Sequence, residues 1–181
     1  VDPLIRRVLP QRFYARPALQ VARALLGTVL VRGDKRARIV EVEAYLGPHD
    51  QAAHSRKGNT ARTAPMFGPP GHAYVYLIYG MHHCFNVCCG NGAAVLIRGA
   101  EPLQGLEGRT DGPGRLARAF ELERSHSGTS LQGPILSLEP GERLRSSQIQ
   151  RGPRVNVDYA GEWAQRPYRL WIAGNRFVSR P

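Results

Sequence analysis

A chain of 181 residues, 42% hydrophobic and 22% charged, is long enough to bury a core of its own and reads as one domain spanning residues 1–181. No run of about 18 apolar residues occurs, which excludes a helical membrane span, and the first seventeen residues lack the apolar stretch of a secretory leader. The net charge of +11 calls for a polyanionic partner, most often nucleic acid.

The stretch "RPALQVARALLGTVLVRG" predicts a short helix followed by a strand, with Pro17 at the first turn and Gly27 at the C-terminal end. A reversal at Gly33-Asp34 then makes a hairpin with the next strand. That strand and its sequel, "RIVEVEAYLGPHDQAAH" (residues 38–54), alternate: Val40, Val42, Ala44 and Leu46 fall on one face, Glu41, Glu43 and Tyr45 on the other. The Cα atoms of Glu41 and Glu43 then lie about 6.5–7 Å apart, which suits two distinct roles better than one shared proton. Two readings stay open: a solvated edge face, or a strand end that delivers carboxylates, Tyr45 and, past a turn, His54 to a site.

Residues 47–71 are rich in turn formers and predict a long ordered loop, a common place for function in a small domain. "HAYVYLIYGMHHCFNVCC" predicts strand, tight turn at Gly80-Met81, strand, and "GNG" introduces a third strand, "AAVLIRGAEP". Tyr74 and Tyr76 share a face, which is usually a packing face. Tyr79 stands at the lip of the turn beside Met81, and in so basic a chain such a tip suits insertion into a base stack. His82, His83, Cys84, Cys88 and Cys89 have the chemistry of a metal site, but strand neighbours point to opposite faces and no ligand-pair spacing is present. No metal and no other cofactor is therefore expected. The three cysteines form an odd, clustered set that reads as buried free thiols of a reducing compartment.

Arg98 lies inside an apolar run, so it either snorkels to solvent or is buried against a carboxylate, Glu43, Glu101 or Glu41. "DGPGRLARAFEL" predicts a helix with an apolar stripe of Leu116, Ala119 and Phe120; its "GPGR" start is read as a plain helix start rather than a phosphate site. The stretch from Ser125 to Leu144 is loop-rich with one short strand, and a last strand is expected around residues 168–172. The fold class is α+β: a mixed domain of mainly antiparallel hairpins flanked by helices, with no βαβ repeat.

Taken together, "RIVEVEAYLGPHDQAAHS", "PMFGPPGHAYVYLIYGMHHCFNV", "VLIRGAEPL" and "YAGEWAQRPYRLW" resemble the alkyladenine DNA glycosylase family, the 3-methyladenine type of vertebrates and many bacteria. The resemblance runs over residues 9–179. It implies a curved antiparallel sheet with a protruding β-hairpin, similar to a domain of methionyl-tRNA formyltransferase. It also implies a monofunctional, monomeric base-excision repair enzyme, working where the genomic DNA is, inside the cell and off the membrane. Such an enzyme flips an alkylated or deaminated purine (3-methyladenine, 7-methylguanine, hypoxanthine, 1,N6-ethenoadenine) out of double-stranded DNA and hydrolyses its N-glycosidic bond.

By the same resemblance Glu43 matches the general base that activates water, and Arg98 the arginine that holds base and water. Tyr45, His54 and Tyr76 match the side chains enclosing the flipped base. Asn86 matches a residue that rejects guanine through its exocyclic amine. Tyr79 matches the wedge, and Met81 supports it at the tip. The chain has two lysines among 25 basic residues; Lys35 is expected in a hairpin turn and Lys57 in a loop, both away from the constellation, which favours water over an amine as nucleophile.

The pattern departs from the family in places. His83 stands where an aromatic is usual, His49 replaces a commoner acid, the loop "SRKGNTARTAP" is less basic than in bacterial relatives, and the long N-terminal extension of some eukaryotic members is not expected. Two rival readings are a nucleic-acid-binding module without catalysis, which would not need Glu43 and Arg98, and a metal-dependent hydrolase built on His54, His82 and the cysteines.

Overall fold

Helix α1 (Gln11–Tyr14) and helix α2 (Ala18–Leu25) open the described part of the chain, residues 7–179 of a computed structural model. The expectation of no leader segment rests partly on residues 1–6 and lies outside it. In α2 the buried residues Ala18, Val21, Ala22 and Leu25 repeat at i, i+3, i+4 and i+7, which gives one apolar stripe. Gly27, at φ +87, turns the chain after the helix and feeds strand β1 (Val29–Arg32).

Strand β2 (Lys35–Tyr45) is the spine of the molecule. Its start pairs with β1 across Gly33-Asp34, as expected, in the register Arg32↔Lys35. Along its length it pairs with β5 (Ala93–Gln104). Beyond the end of β1, its residues 41–43 also pair with β8 (Arg169–Ile172), and β8 carries β7 (Ile149–Gly152). Strands β3 (Ala73–Ile78) and β4 (His82–Gly90) extend the sheet beyond β5, and β6 (Ser137–Glu139) closes the β1 side. Every strand pairing is antiparallel, so the eight strands form one curled sheet with few helices, a single α+β domain.

The strict alternation expected of β2 is broken by register shifts between Ile39 and Glu41 and between Glu41 and Val42. Bulges bend a strand and increase its twist, which lets β2 serve β1 at one end and β8 at the other. Both of its faces are covered. Val40, Val42 and Ala44 belong to the main core with Val95, Ile97, Phe85 and Leu25, under α2 and helix α4 (Pro113–Ala119). The opposite face carries Glu41, Glu43 and Tyr45 and is roofed by irregular chain. Residues 47–71 are not one unbroken loop: they contain a 3-10 turn at His54–Lys57 and helix α3 (Ala64–Phe67).

The β3–β4 hairpin ends in a two-residue reversal. Tyr79 and Gly80 both have positive φ (+52 and +66), and the Met81 N–H donates to the Ile78 carbonyl at 3.2 Å. This is the type I′ geometry that matches strand twist. Glycine accepts it freely; a tyrosine there is strained. The tip holds Tyr79 and Met81 out in solvent, 76% and 69% exposed. Among the described residues no helix is long and apolar enough to cross a membrane, and the three cysteines are free and buried.

Candidate active site

Glu41 and Glu43 both have 0% exposure, which removes the solvated-edge reading. A buried carboxylate without partners costs several kcal/mol, so their partners define the site. Glu43 Oε1 accepts from Arg98 Nη1 at 3.0 Å, and Oε2 accepts from the Val155 backbone N–H at 2.8 Å. Glu41 Oε1 accepts from Arg98 Nε (3.2 Å), Arg169 Nη1 (3.1 Å) and the Ser179 hydroxyl (2.9 Å), and its Oε2 from the Ser179 N–H (2.6 Å). Arg98 Nη2 donates to Ser179 Oγ at 3.1 Å. Each nitrogen of the Arg98 guanidinium therefore donates once within the cluster, a geometry that lysine cannot reproduce.

Local irregularity makes this cluster possible. Pairing skips from Glu41↔Gly99 to Val42↔Ile97, leaving Arg98 as the unpaired residue of a bulge aimed at the carboxylates. A Cβ on Gly99 would come within 2.5 Å of the Phe177 carbonyl; only glycine lets residues 177–179 cross close enough to bring Ser179 to Glu41. Glu101, one of the three acids weighed as a partner of Arg98, pairs instead with Arg38, whose Nε donates to it at 3.0 Å.

Burial raises the pKa of Glu43 above the ordinary 4.5, while Arg98 and the Val155 N–H pull it back and the neighbouring Glu41 adds to the rise. Burial also disfavours charge on Arg98, but Glu43 and Glu41 outweigh it and hold the guanidinium protonated. The result is a carboxylate that is a stronger base than a solvated glutamate, locked in one orientation.

Glu43 and Arg98 border a cleft of about 1410 Å³ whose walls include Tyr45, His54, Tyr74, Tyr76 and Asn86, with Tyr79 at its margin. Glu43, Tyr45, His54, Tyr76, Asn86, Arg98 and Tyr79 are thus brought together; Met81 projects from the same hairpin tip outside the wall. The rings pack edge to face: His54 to Tyr76 at 4.5 Å between centroids and 68°, Tyr74 tilted against Tyr76 at 5.4 Å. His54 Nδ1 lies 3.0 Å from the Tyr74 hydroxyl, which fixes the imidazole. Asn86 Nδ2 donates to the Tyr74 carbonyl at 3.0 Å, so its amide is held by its own strand pair, Tyr74↔Asn86.

Burial, and then the charges of Arg62, Arg56 and Lys57, lower the His54 pKa to about 4. The imidazole is neutral at pH 7, so it lines the cleft without repelling a cationic ring. In a pH titration by NMR the His54 ring resonances are expected to stay constant between pH 5.5 and 8; a midpoint near the ordinary 6.5 would refute this.

Arg56, Lys57, Arg62, Arg109, Arg115 and Arg118 also line the cleft. Asp111 offsets two of these, accepting from Arg109 at 2.6 Å and lying 3.4 Å from Arg115. Arg62 stacks over the Tyr76 ring at 5.4 Å. Lys57 corrects the reading that placed both lysines away from the constellation: it is exposed, but it lines this cleft. His82 also lines it, whereas His83 does not. Gly112–Arg115 borders the cleft as the start of α4. Among the described residues no group of three or more His, Cys, Asp or Glu side chains is placed so that it could hold a metal ion.

Several contributors had no signal in the sequence. Val155 acts through its backbone, and Ser179 and Arg169 are single residues far along the chain. Tyr74 was within reach, since a residue two before Tyr76 on a strand shares its face.

Comparison with known proteins identifies the family. Residues 12–176 match the family model described as methylpurine-DNA glycosylase. Curated relatives carry the name "Putative 3-methyladenine DNA glycosylase". The one from Myxococcus xanthus (strain DK1622) is 57% identical over 181 residues, covering 95% of this chain and 93% of its own. Those from Anaeromyxobacter dehalogenans (strain 2CP-C) and Legionella pneumophila (strain Corby) are 54% and 46% identical, with 96% of this chain covered in each case and 87% and 99% of theirs.

Proposed function

This chain belongs to the methylpurine-DNA glycosylase family, and from that premise we propose that it is a monofunctional DNA glycosylase, acting as a monomer on genomic DNA inside the cell. Its substrates are alkylated or deaminated purines in double-stranded DNA, of the 3-methyladenine, 7-methylguanine, hypoxanthine and 1,N6-ethenoadenine class. The observation that carries the reading is a buried, hydrogen-bonded carboxylate, Glu43, beneath an aromatic cleft with cations at its rim.

The rim arginines and Lys57 hold phosphates, releasing counterions as they do so. Tyr79, with Met81 beside it at the hairpin tip, fills the gap in the stack as the damaged nucleotide turns out. Tyr45, His54 and Tyr76 enclose the base; their faces and a neutral imidazole accept electron-poor or cationic purines. Asn86 opposes the exocyclic amine of guanine by steric and hydrogen-bond conflict.

Glu43 has spare lone pairs on both oxygens beside those used by Arg98 and Val155. It takes a proton from one water as the water oxygen bonds to C1′ and the C1′–N bond breaks with its electron pair passing to the purine. A purine that starts as a cation leaves neutral; a neutral purine leaves with the bonding pair and takes a proton from solvent water, while Glu43 returns the proton it accepted to solvent, so the protons balance. Glu43 borders the cleft, and a water admitted beside the flipped sugar is the nucleophile. Arg98 orients Glu43 and that water.

The test is a panel of duplexes, each with one lesion, scored for base release with and without alkali. Released base with strand breaks only after alkali is the expected result. Breaks without alkali would end the monofunctional reading and call for an amine nucleophile, with Lys57 the lysine that lines the cleft. Absence of release from every duplex, with binding retained, would support the non-catalytic module instead.

A further inference from the structure

Behind the cleft, and lining none of it, lies a second buried ion pair. Asp50 and Arg154 both have side-chain exposure of 0%. Arg154 Nη1 donates to Asp50 Oδ2 at 2.6 Å and to the Ala44 carbonyl at 2.9 Å, and Nη2 donates to Asp50 Oδ1 at 3.0 Å. The guanidinium lies 4.8 Å from the Tyr45 ring centroid and 5.2 Å from that of Tyr168. Asp50 in turn accepts from the Leu46 N–H on Oδ2 and the Ala52 N–H on Oδ1, each at 3.0 Å.

These contacts tie together three separate pieces of the site. Ala44 and Tyr45 end β2 and carry a cleft wall. The Asp50–Ala52 turn leads directly into Ala53 and His54. Arg154 precedes Val155, whose N–H holds Glu43 Oε2 at 2.8 Å. We propose that the Asp50–Arg154 pair is a positioning device for the reaction: it sets the Val155 N–H against Glu43 and fixes the spacing between the Tyr45 and His54 walls. It touches neither substrate nor the reacting atoms. An ion pair that served only to hold the fold could sit anywhere in the core; this one bonds to Ala44 and Leu46 on either side of Tyr45 and to Ala52, two residues before His54, with a longer contact from Arg154 Nη2 to the Trp163 carbonyl at 3.4 Å. Arg rather than Lys is needed because its planar fork meets both carboxylate oxygens while its faces stack on tyrosine rings.

The proposal rests on the glycosylase reading for its consequence in rate, so the test has one readout that does not need activity. Arg154→Lys keeps the charge and loses the fork. Should that variant melt below working temperature, Asp50→Asn combined with Arg154→Gln removes both charges at once, so that neither is left buried alone. In a folded variant, single-turnover base release from the lesion duplex that the parent cleaves fastest is expected to fall on the order of tenfold to a hundredfold, the range that a misplaced catalytic group produces. Affinity for the same duplex should fall by clearly less than the rate, since neither residue lines the cleft and the phosphate contacts are untouched. The Val155 amide proton resonance should move upfield and exchange faster with solvent as its bond to Glu43 weakens. An unmoved Val155 resonance overturns the proposal, as does a parental rate in a folded variant or an affinity loss that matches the loss in rate. If the parent releases no base at all, the glycosylase reading fails by itself, and the Val155 resonance still decides whether the pair sets that bond.

Discussion

Glu43→Gln is expected to retain binding to a lesion-bearing duplex and to release its base roughly 10²–10⁴-fold more slowly, the range that a general base contributes. The substitution is close to isosteric, but it cannot fit the hydrogen bonds present. Oε1 and Oε2 each face a donor, Arg98 Nη1 and the Val155 N–H, so whichever way the glutamine amide turns, its NH2 meets one of them. A buried donor left unpaired costs about 1–3 kcal/mol, and the melting temperature should drop accordingly while the fold persists. The parent protein should show an acid limb in its rate profile. Because Glu43 titrates above 4.5 and must be ionised to accept the proton, activity is present above its pKa and lost as pH falls through it. The Glu43→Gln variant should lack that limb. Release at the parental rate by this variant would show that Glu43 is not the base.

Arg98→Met should be strongly destabilising, and it should also silence the chemistry. Arg98 bonds to Glu41, Glu43 and Ser179 at once. Without it Glu41 keeps Arg169 and Ser179, whereas Glu43 keeps only the Val155 N–H. Removing one partner of a buried ion pair costs about 3–5 kcal/mol. Burial, now less opposed, raises the Glu43 pKa further, so the carboxyl becomes protonated at pH values where the parent is ionised and cannot act as a base. The sign of the pH effect on stability follows. A protonated Glu43 needs no cation, so the stability deficit relative to the parent should narrow on acidification and widen as pH rises through the variant's raised pKa. Paired thermal melts of parent and variant between pH 5 and 8 measure it. A deficit that is absent, or that grows toward low pH, would mean that Arg98 is not the charge partner of Glu43.

Much of the architecture was legible because its signals are local. Gly33-Asp34 and the Gly-Asn-Gly at residues 90–92 specify reversals through backbone freedom that few residues share. The α2 stripe and the alternation of Val40, Val42 and Ala44 record burial in their spacing alone. The resemblance then supplied candidate roles for Glu43, Tyr45, His54, Tyr76, Asn86 and Arg98, and the fold gathers all six into one cleft. The residues left open or misplaced are those whose surroundings come from far along the chain. Glu41 read equally well as a solvated acid, Glu101 stood as open to Arg98 as Glu43, and Lys57 was assigned to a loop that the fold lays along the cleft.

By itself, then, the sequence determined the hairpins, the helix that covers them, the basic character and the set of chemical groups available. Tertiary structure decided which of those groups meet. Glu41 finds Arg98 57 residues away and Ser179 138 residues away; Glu43 finds the Val155 N–H 112 residues away, and Asp50 finds Arg154 across 104. Closing such distances is an entropic cost met by the whole core rather than by the residues that touch, so no local pattern encodes the contacts. A backbone N–H carries no side-chain signature at all, and a bulge that turns Arg98 inward exists only once two strands are in register.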